Sequence, residues 1–145
     1  MILPDINLLV YAYNADAPLH RPARTWWEDL LTSRRPVAVP WLVSHGFVRI
    51  MTHPRAMERP LRVNDALKHV RKWLEWPSVQ ILEPGPRHLD ILETLLQSLG
   101  SGGNLVTDAS LAALALEYQC TLCSNDSDFA RFKGLHWRNP LEGQD

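Results

Sequence analysis

Four aspartates stand where the sequence predicts the ends of strands or the start of a buried helix. Asp5 directly follows a short apolar segment, and Asp126 and Asp128 follow another. Asp108 opens the run D-A-S-L-A-A-L-A-L-E-Y, which is apolar nearly all round and predicts a buried helix. In an open parallel sheet, binding sites form beyond the carboxyl ends of the strands. We therefore expect three distant segments to bring four carboxylates to one edge of a sheet.

Carboxylates gathered in this way repel one another. At about 4 Å and an effective dielectric constant near 20, each pair of like charges repels by about 4 kcal/mol. Helix N-termini at Asp108 and Asp126 offset only about 0.3–1 kcal/mol each. A divalent cation is the economical solution, and ligation by oxygen alone favours Mg²⁺ or Mn²⁺. Each acid taken singly is also typical of a helix cap or a surface position, so the hypothesis depends on the combination.

Such an ion activates water and neutralises the charge that builds on a phosphodiester, which points to phosphoryl chemistry. The two thiols offer a competing metal site, because Cys120 and Cys123 have C-x-x-C spacing. No second pair completes a zinc site, and residues i and i+3 of a strand point to opposite faces. We expect two core cysteines in or beside a buried strand, and a metal that takes oxygen.

The bulk composition is that of an ordinary globular protein. The chain has 145 residues, of which 46% are hydrophobic and 21% charged, which suggests one domain. No apolar run is long enough to span a membrane, and the first residues do not form a signal peptide. These features predict a cytoplasmic protein with no membrane partner.

Short apolar runs alternate with longer helical ones, which predicts an α/β fold with a short parallel sheet covered on both faces. We expect a single-domain α/β/α sandwich, with Asn64 as a helix N-cap and a flexible loop at 100–104. Strands are expected at 1–4, 37–39, 79–82, 121–124 and 135–137, and helices at 6–13, 22–32, 40–51, 64–76, 87–99 and 108–118.

Charge is distributed unevenly along the chain. Residues 21–72 carry 11 Lys and Arg against four acidic residues, whereas residues 73–145 carry four against ten. A basic half facing an acidic half fits a nucleic-acid substrate that is carried to a metal site. Taken alone, this asymmetry is more typical of helix faces that differ in charge.

Five segments, taken in this order and spacing, form a specific pattern. They are P-D-I-N-L-L-V-Y-A (4–12), W-L-V-S-H-G-F-V-R-I-M-T-H-P-R (41–55), L-V-T-D-A-S-L-A-A-L-A (105–115), S-N-D-S-D-F-A-R-F (124–132) and L-H-W-R-N-P-L (135–141). With this pattern the chain resembles the PIN-domain ribonucleases, and among them the VapC-type toxins of bacterial toxin–antitoxin pairs. The resemblance covers nearly the whole chain and implies a PIN-like domain over residues 1–145.

The resemblance also implies an activity, a cofactor and partners. It implies a metal-dependent endoribonuclease that cleaves RNA phosphodiesters with a metal-activated water. Asp5, Asp108 and Asp126 would be catalytic metal ligands for Mg²⁺ or Mn²⁺, and Asp128 an auxiliary catalytic acid. The implied partners are an RNA substrate, a cognate VapB-type antitoxin that blocks the pocket, and a second copy of the chain in a homodimer.

Further roles are implied by the same resemblance. Asn7 would orient the carboxylate of Asp5, the hydroxyl of Ser124 would hydrogen-bond within the site, and Arg49 would steer RNA. One departure matters: the second acid of the family, usually a glutamate on the helix after the second strand, aligns with Gly46. This departure argues against a second metal ion.

Two other interpretations stay open on the residues alone. One is a phosphatase-like α/β hydrolase with Asp5 as its nucleophile, since such enzymes also place acids after strands. Against it, Asn7 stands where a second aspartate would act as general acid. The other is a catalytically weakened PIN module that binds RNA or protein, and Gly46 is the feature that supports it.

Overall fold

The computed structural model describes residues 1–100, 102–103 and 105–142. Strands alternate with helices along most of the chain, as the sequence predicts. The elements are β1 (Ile2–Pro4), α1 (Ile6–Tyr13), α2 (His20–Thr32), β2 (Val37–Ala38), α3 (Trp41–Met51), α4 (Val63–Glu75), β3 (Val79–Gln80), α5 (His88–Leu99), α6 (Leu105–Tyr118), β4 (Thr121–Cys123), a 3₁₀ helix (Ser127–Arg131) and β5 (Trp137–Arg138).

The strands described form one parallel sheet in the order β3-β2-β1-β4-β5. β1 lies at the centre and pairs with β4 in a register that aligns Leu3 with Leu122. The pairing continues one step beyond β1, where the backbone N–H of Asp5 donates to the carbonyl of Cys123 at 2.8 Å. The register therefore brings the residues that follow β1 and β4 to the same edge of the sheet.

The helices pack in two groups. α1 contacts α2 and α3, and α3 contacts α4, whereas α5 packs against α6. Both faces of a central strand are then covered, which is why Ile2 and Leu3 are both buried. The predicted α/β/α architecture is confirmed.

Aromatic side chains fill the core between α1, α2, α3 and α4. Trp27, Phe47 and Trp73 are almost fully buried, and the indole N–H of Trp73 donates to the hydroxyl of Tyr13 at 2.7 Å. This bond satisfies a polar atom that burial would otherwise penalise. The group fixes α1, whose N-terminus carries Asp5.

Two predicted helix starts are wrong. The helix expected at Asp108 begins at Leu105, because the N–H groups of Leu105 and Val106 already donate to the carbonyls of residues 102 and 103. Asn64 is not an N-cap, because the helical hydrogen bonds begin at Arg62, whose carbonyl accepts from the N–H groups of residues 65 and 66. Asp108 consequently lies inside the first turn of α6.

The remaining boundaries differ by small amounts. α2 begins at His20 instead of residue 22, and the strands are one or two residues shorter than expected. After β2, Pro40 has no N–H to continue the ladder. Gly100 and Gly103 take positive φ in the predicted 100–104 loop, whereas Ser101 and Asn104, like residues 143–145, lie outside the described residues. Within the described residues, no helix is long and apolar enough to cross a membrane.

The cysteine prediction is confirmed. Cys120 lies just before β4 and Cys123 ends it, and both are buried free thiols. Burial raises the pKa of both thiols, that of Cys123 to about 11. Neither thiol ionises readily near neutral pH, so neither is suited to metal binding or redox chemistry there.

Candidate metal centre

Asp5 is the deepest acid at the carboxyl edge of the sheet. It caps α1, with its Oδ1 accepting from the backbone N–H of Ile6 at 2.7 Å. Its Oδ2 accepts from the hydroxyl of Ser124, also at 2.7 Å. Only 6% of the residue is exposed, so little water reaches these oxygens. Each oxygen has a protein donor instead. Asn7 lies in the first turn of α1 and takes part in neither bond.

Ser124 connects two of the acid-bearing segments. Its Oγ donates to Asp5 and accepts from the backbone N–H of Asp126 at 2.9 Å. Its own N–H donates to the carbonyl of Arg138, so the residue is also held by the strand next to it. The hydrogen bond that the family resemblance implies for Ser124 is therefore present.

Asp126 and Asp128 lie on the turn that follows β4. Asp126 caps the 3₁₀ helix, with its Oδ1 accepting from the backbone N–H of Asp128 at 2.9 Å. Asp128 is exposed, and its side chain lies 3.8 Å from the guanidinium of Arg131. Of the two acids after β4, Asp126 is therefore partly buried and Asp128 is exposed to solvent.

Asp108 lies on a different element, the first turn of α6. Burial raises its pKa, and the negative charges of Asp126 and Asp128 raise it further. The guanidinium of Arg131 opposes this effect. Sequence reasoning missed Arg131, although its position three residues after Asp128 is the spacing at which helical side chains meet.

Asp5 responds to the same group of acids. Burial raises the pKa of Asp5 to about 6, against the effect of the bonds from Ser124 and Ile6, and the charges of Asp108 and Asp126 add to the rise. Carboxylates affect one another in this way only when they are close. The Ser124 hydroxyl thus joins Asp5 to the backbone of Asp126, and the charge of Asp108 acts on Asp5 from a third element.

The donor set fits a hard divalent cation. Among residues 1–100, 102–103 and 105–142, no three acidic, histidine or cysteine side chains are already arranged around one point as a metal cage. Mg²⁺ does not need such a cage, because it usually keeps several waters and takes only one or two carboxylates directly. Clustered, partly desolvated carboxylates with no thiolate among them are what Mg²⁺ or Mn²⁺ selects.

Gly46 occupies a position with no room for a side chain. It is buried in α3, where an added Cβ would overlap Cδ1 of Ile6 and lie 3.0 Å from its Cγ1. Ile6 follows Asp5 directly and is itself buried. In place of the carboxylate that the resemblance leads one to expect here, the chain has a close contact between α3 and α1.

Arg49 lies in the last turn of α3 and is exposed. It is the one Lys or Arg residue of this helix. The cationic group that lowers the pKa of Asp108 is instead Arg131.

Comparison with known proteins places this arrangement in a family. The family model for the PIN domain matches residues 2–135, and the chain belongs to the PIN-domain family. It is 45% identical over 141 residues to Ribonuclease VapC33 of Mycobacterium tuberculosis, an alignment that covers 97% of this chain and 99% of the relative. It is also 40% identical to Ribonuclease VapC37 of the same organism, over 97% of each chain.

Solved structures agree on the fold. VapBC2 from Rickettsia felis, solved bound to a DNA fragment from its promoter, gives a TM-score of 0.67 at 19% identity, over 96% of this chain and 98% of that chain. FitAcB from Neisseria gonorrhoeae gives 0.66 at 15% identity, over 98% and 99%. At these identities the similarity concerns the fold alone.

Proposed function

We propose that this protein is a metal-dependent endoribonuclease and the toxin of a type II toxin–antitoxin pair. The relatives at 40–45% identity are named ribonucleases and align over nearly their whole length. The observation that carries the proposal is the Ser124 hydroxyl, which joins the buried carboxylate of Asp5 to the backbone of Asp126 at the edge of the sheet where the charge of Asp108 also acts. Three carboxylates that burial and mutual repulsion make costly are well suited to sharing a cation.

Each acid has a distinct part in the proposed site. Asp5 would hold the ion in a fixed place, because its oxygens are oriented by Ser124 and by the start of α1. Asp108 and Asp126 would complete the ligand set, and Asp128 would act as an auxiliary acid at the solvated rim. When bound, Mg²⁺ or Mn²⁺ supplies an activated water and neutralises charge on the scissile phosphate.

Substrate and partners are part of the same proposal. Arg49, exposed on α3, would attract the phosphates of RNA, and Asn7 would support the position of Asp5. A VapB-type antitoxin would cover the acid edge, and the toxin would act as a homodimer in the cytoplasm. The resemblance to VapC-type toxins supports these assignments.

Family membership disfavours a phosphatase that uses Asp5 as its nucleophile. The weakened-module alternative is favoured by one observation, the closed position at Gly46. Only a measurement of activity separates it from the nuclease.

The test is RNA cleavage by the purified protein with Mg²⁺, with Mn²⁺ and with a chelator. We expect cleavage with either ion, none with the chelator, and loss of cleavage in Asp5→Ala. Asp29→Ala is a matched control, because Asp29 is exposed on α2. Sequencing of RNA 5′ ends after induction in cells would identify the substrate.

Two results would contradict the proposal. Equal cleavage by wild type and Asp5→Ala would show that the observed activity comes from another site or a contaminant. No cleavage by wild type with either ion, despite metal binding, would favour the weakened module.

A further inference from the structure

The segment W-R-N-P (137–140) lies against the loop that carries the acids after β4. The indole N–H of Trp137 donates to the carbonyl of Ser124 at 3.2 Å. From the other direction, the N–H of Ser124 donates to the carbonyl of Arg138 at 3.0 Å. The backbone of Ser124 is thus held at both its donor and its acceptor by two consecutive residues of β5.

The next residue of the acid loop is held by a side-chain pair. Nδ2 of Asn139 donates to Oδ1 of Asn125 at 3.1 Å. Oδ1 of Asn139 accepts from the N–H of Leu141 at 3.1 Å. This second bond orients the Asn139 amide. Its oxygen faces the backbone N–H of Leu141, and its nitrogen therefore faces Asn125.

These contacts end immediately before Asp126. Ser124 and Asn125 are the two residues that join β4 to Asp126, and Ser124 Oγ bonds both to Asp5 and to the backbone N–H of Asp126. A hydroxyl that makes two such bonds tolerates little displacement, since hydrogen bonds weaken steeply outside 2.5–3.2 Å. The position of the Ser124 backbone therefore decides whether Asp5 and Asp126 keep their relative placement.

The acids themselves oppose this placement. The like charges of Asp108 and Asp126 act on Asp5, and in the absence of a cation this repulsion opposes the contact between the loop and β1. β5 is an edge strand of two residues, and so short a strand restrains the loop weakly by its ladder alone. The side chains of Trp137 and Asn139 supply the additional restraint.

We propose that Trp137 and Asn139 are positioning residues of the acid site, which hold Ser124 and Asn125 so that Asp126 meets Asp5 at the separation a divalent cation requires. Neither residue touches the ion or the substrate. The inference rests on the proposed function for its catalytic consequence, but its direct consequence is metal affinity.

The test compares two conservative changes with two matched controls. Trp137→Phe keeps an aromatic ring and removes the indole N–H, and Trp76→Phe makes the same change at an exposed tryptophan that follows α4. Asn139→Ala removes the side-chain pair, and Asn64→Ala makes the same change at an exposed position on α4. For each protein, Mn²⁺ affinity is measured by calorimetry, and kcat, KM for RNA and the metal-free Tm are determined.

We expect Trp137→Phe and Asn139→Ala to weaken Mn²⁺ binding by about 10-fold, as is typical when a residue that orients a ligand is lost. kcat should fall at fixed Mn²⁺ and recover at saturating Mn²⁺, with KM for RNA unchanged. The controls should match wild type. Asn125→Ala combined with Asn139→Ala should weaken binding no more than Asn139→Ala alone, because both single changes remove the bond between the two side chains.

Several outcomes would overturn the inference. Unchanged Mn²⁺ affinity with a lowered Tm would show that Trp137 and Asn139 have only a structural role. Additive losses of Mn²⁺ affinity in the double variant would show that Asn125 and Asn139 act separately. If Trp137→Phe does not fold, the asparagine cycle decides. Wild type that binds Mn²⁺ without cleaving RNA would remove the nuclease proposal and leave the positioning role to the affinity data; wild type that binds no Mn²⁺ would remove both.

Discussion

The acid site has two sides that are built differently. The buried side consists of Asp5 and Ser124, with the half-exposed Asp126 held to them through the Ser124 hydroxyl. The helical side consists of Asp108 on the first turn of α6, a half-exposed carboxylate. One side is fixed by its neighbours, and the other presents a single acid to solvent.

This difference suggests a division of work between the two sides. A ligand that is held by fixed donors loses little freedom when a cation binds, which favours affinity. A ligand on a solvated helix turn adjusts more easily to an incoming phosphate. We therefore expect changes on the buried side to act on metal binding and folding together, and changes on the helical side to act mainly on cleavage.

The largest effect is expected from Asp5→Asn. The amide is nearly isosteric but carries no charge, so the cation loses its central anionic ligand. Cleavage should fall by roughly 10³-fold, equivalent to about 4 kcal/mol in the barrier. Steady-state cleavage at saturating Mg²⁺ measures this loss, and a change below tenfold would show that the buried side does not anchor the ion.

The same substitution should change how the stability of the metal-free protein depends on pH. Folding raises the pKa of Asp5 from 3.8 to about 6, so the protonated carboxyl favours the folded state. This contribution to stability is fully present below about pH 4 and is lost as pH rises through 6. The loss amounts to about 3 kcal/mol at pH 8. Chemical denaturation in a chelator should therefore show Asp5→Asn gaining on wild type between pH 4 and 7. A difference in unfolding free energy between the two proteins that stays constant across that pH range would contradict a raised pKa for Asp5.

A smaller effect on cleavage is expected from Asp108→Asn. Loss of a ligand on the helical side should lower cleavage by about 100-fold, less than the loss from Asp5→Asn. Metal-free stability should change little, because Asp108 is half-exposed. Parallel measurements on the two variants test the asymmetry directly, and equal losses in both cleavage and stability would abolish it.

Gly46→Ala tests the close contact between α3 and Ile6, the residue that follows Asp5 on the buried side. A methyl group there overlaps Ile6, and such overpacking costs about 1–3 kcal/mol, against about 1 kcal/mol gained in helix propensity. We expect a net loss of stability of roughly 1 kcal/mol by denaturation. Ile6→Val removes the overlapping Cδ1, so the double variant should be more stable than the sum of the single changes indicates. Strict additivity would mean that the contact is relieved elsewhere.

The smallest effect is expected from Arg131→Gln. Removal of the guanidinium should raise the pKa of Asp108 further, because only the burial and the like charges remain. Arg131 is exposed and screened by salt, so cleavage at pH 8 should change by less than about twofold. The acid limb of the pH–rate profile should shift to higher pH in low salt, and this shift should disappear in high salt. A profile that does not respond to salt would assign the effect to something other than charge.

The sequence predicted the meeting of the acids because that meeting depends on general rules. Parallel strands end at the same edge, so the residues that follow β1 and β4 had to converge. The position of Asp108 was less accessible, since the helix start depends on bonds from residues 105 and 106 to the glycines before them. That error moved Asp108 from a cap into a helical turn without removing it from the site.

Residue patterns alone did not specify contacts between distant segments, although the family resemblance implied that Ser124 hydrogen-bonds within the site. The bond from Ser124 to Asp5 spans 119 residues, and the closeness of Gly46 to Ile6 depends on how α3 crosses α1. The sequence placed Trp137 in an expected strand and Asn139 in the family pattern, and it assigned neither a role in the site. Their roles depend on the register of β5, which hydrophobic periodicity does not specify for a two-residue strand.

The central place of β1 has a consequence for translation. β1 pairs with β2 on one flank, but its other flank stays unpaired until residues 121–123 have been synthesised. Pairing over such a separation closes late in folding. A nascent chain therefore lacks the assembled acids until β4 has emerged, and a ribosome making this protein carries no complete acid site before then.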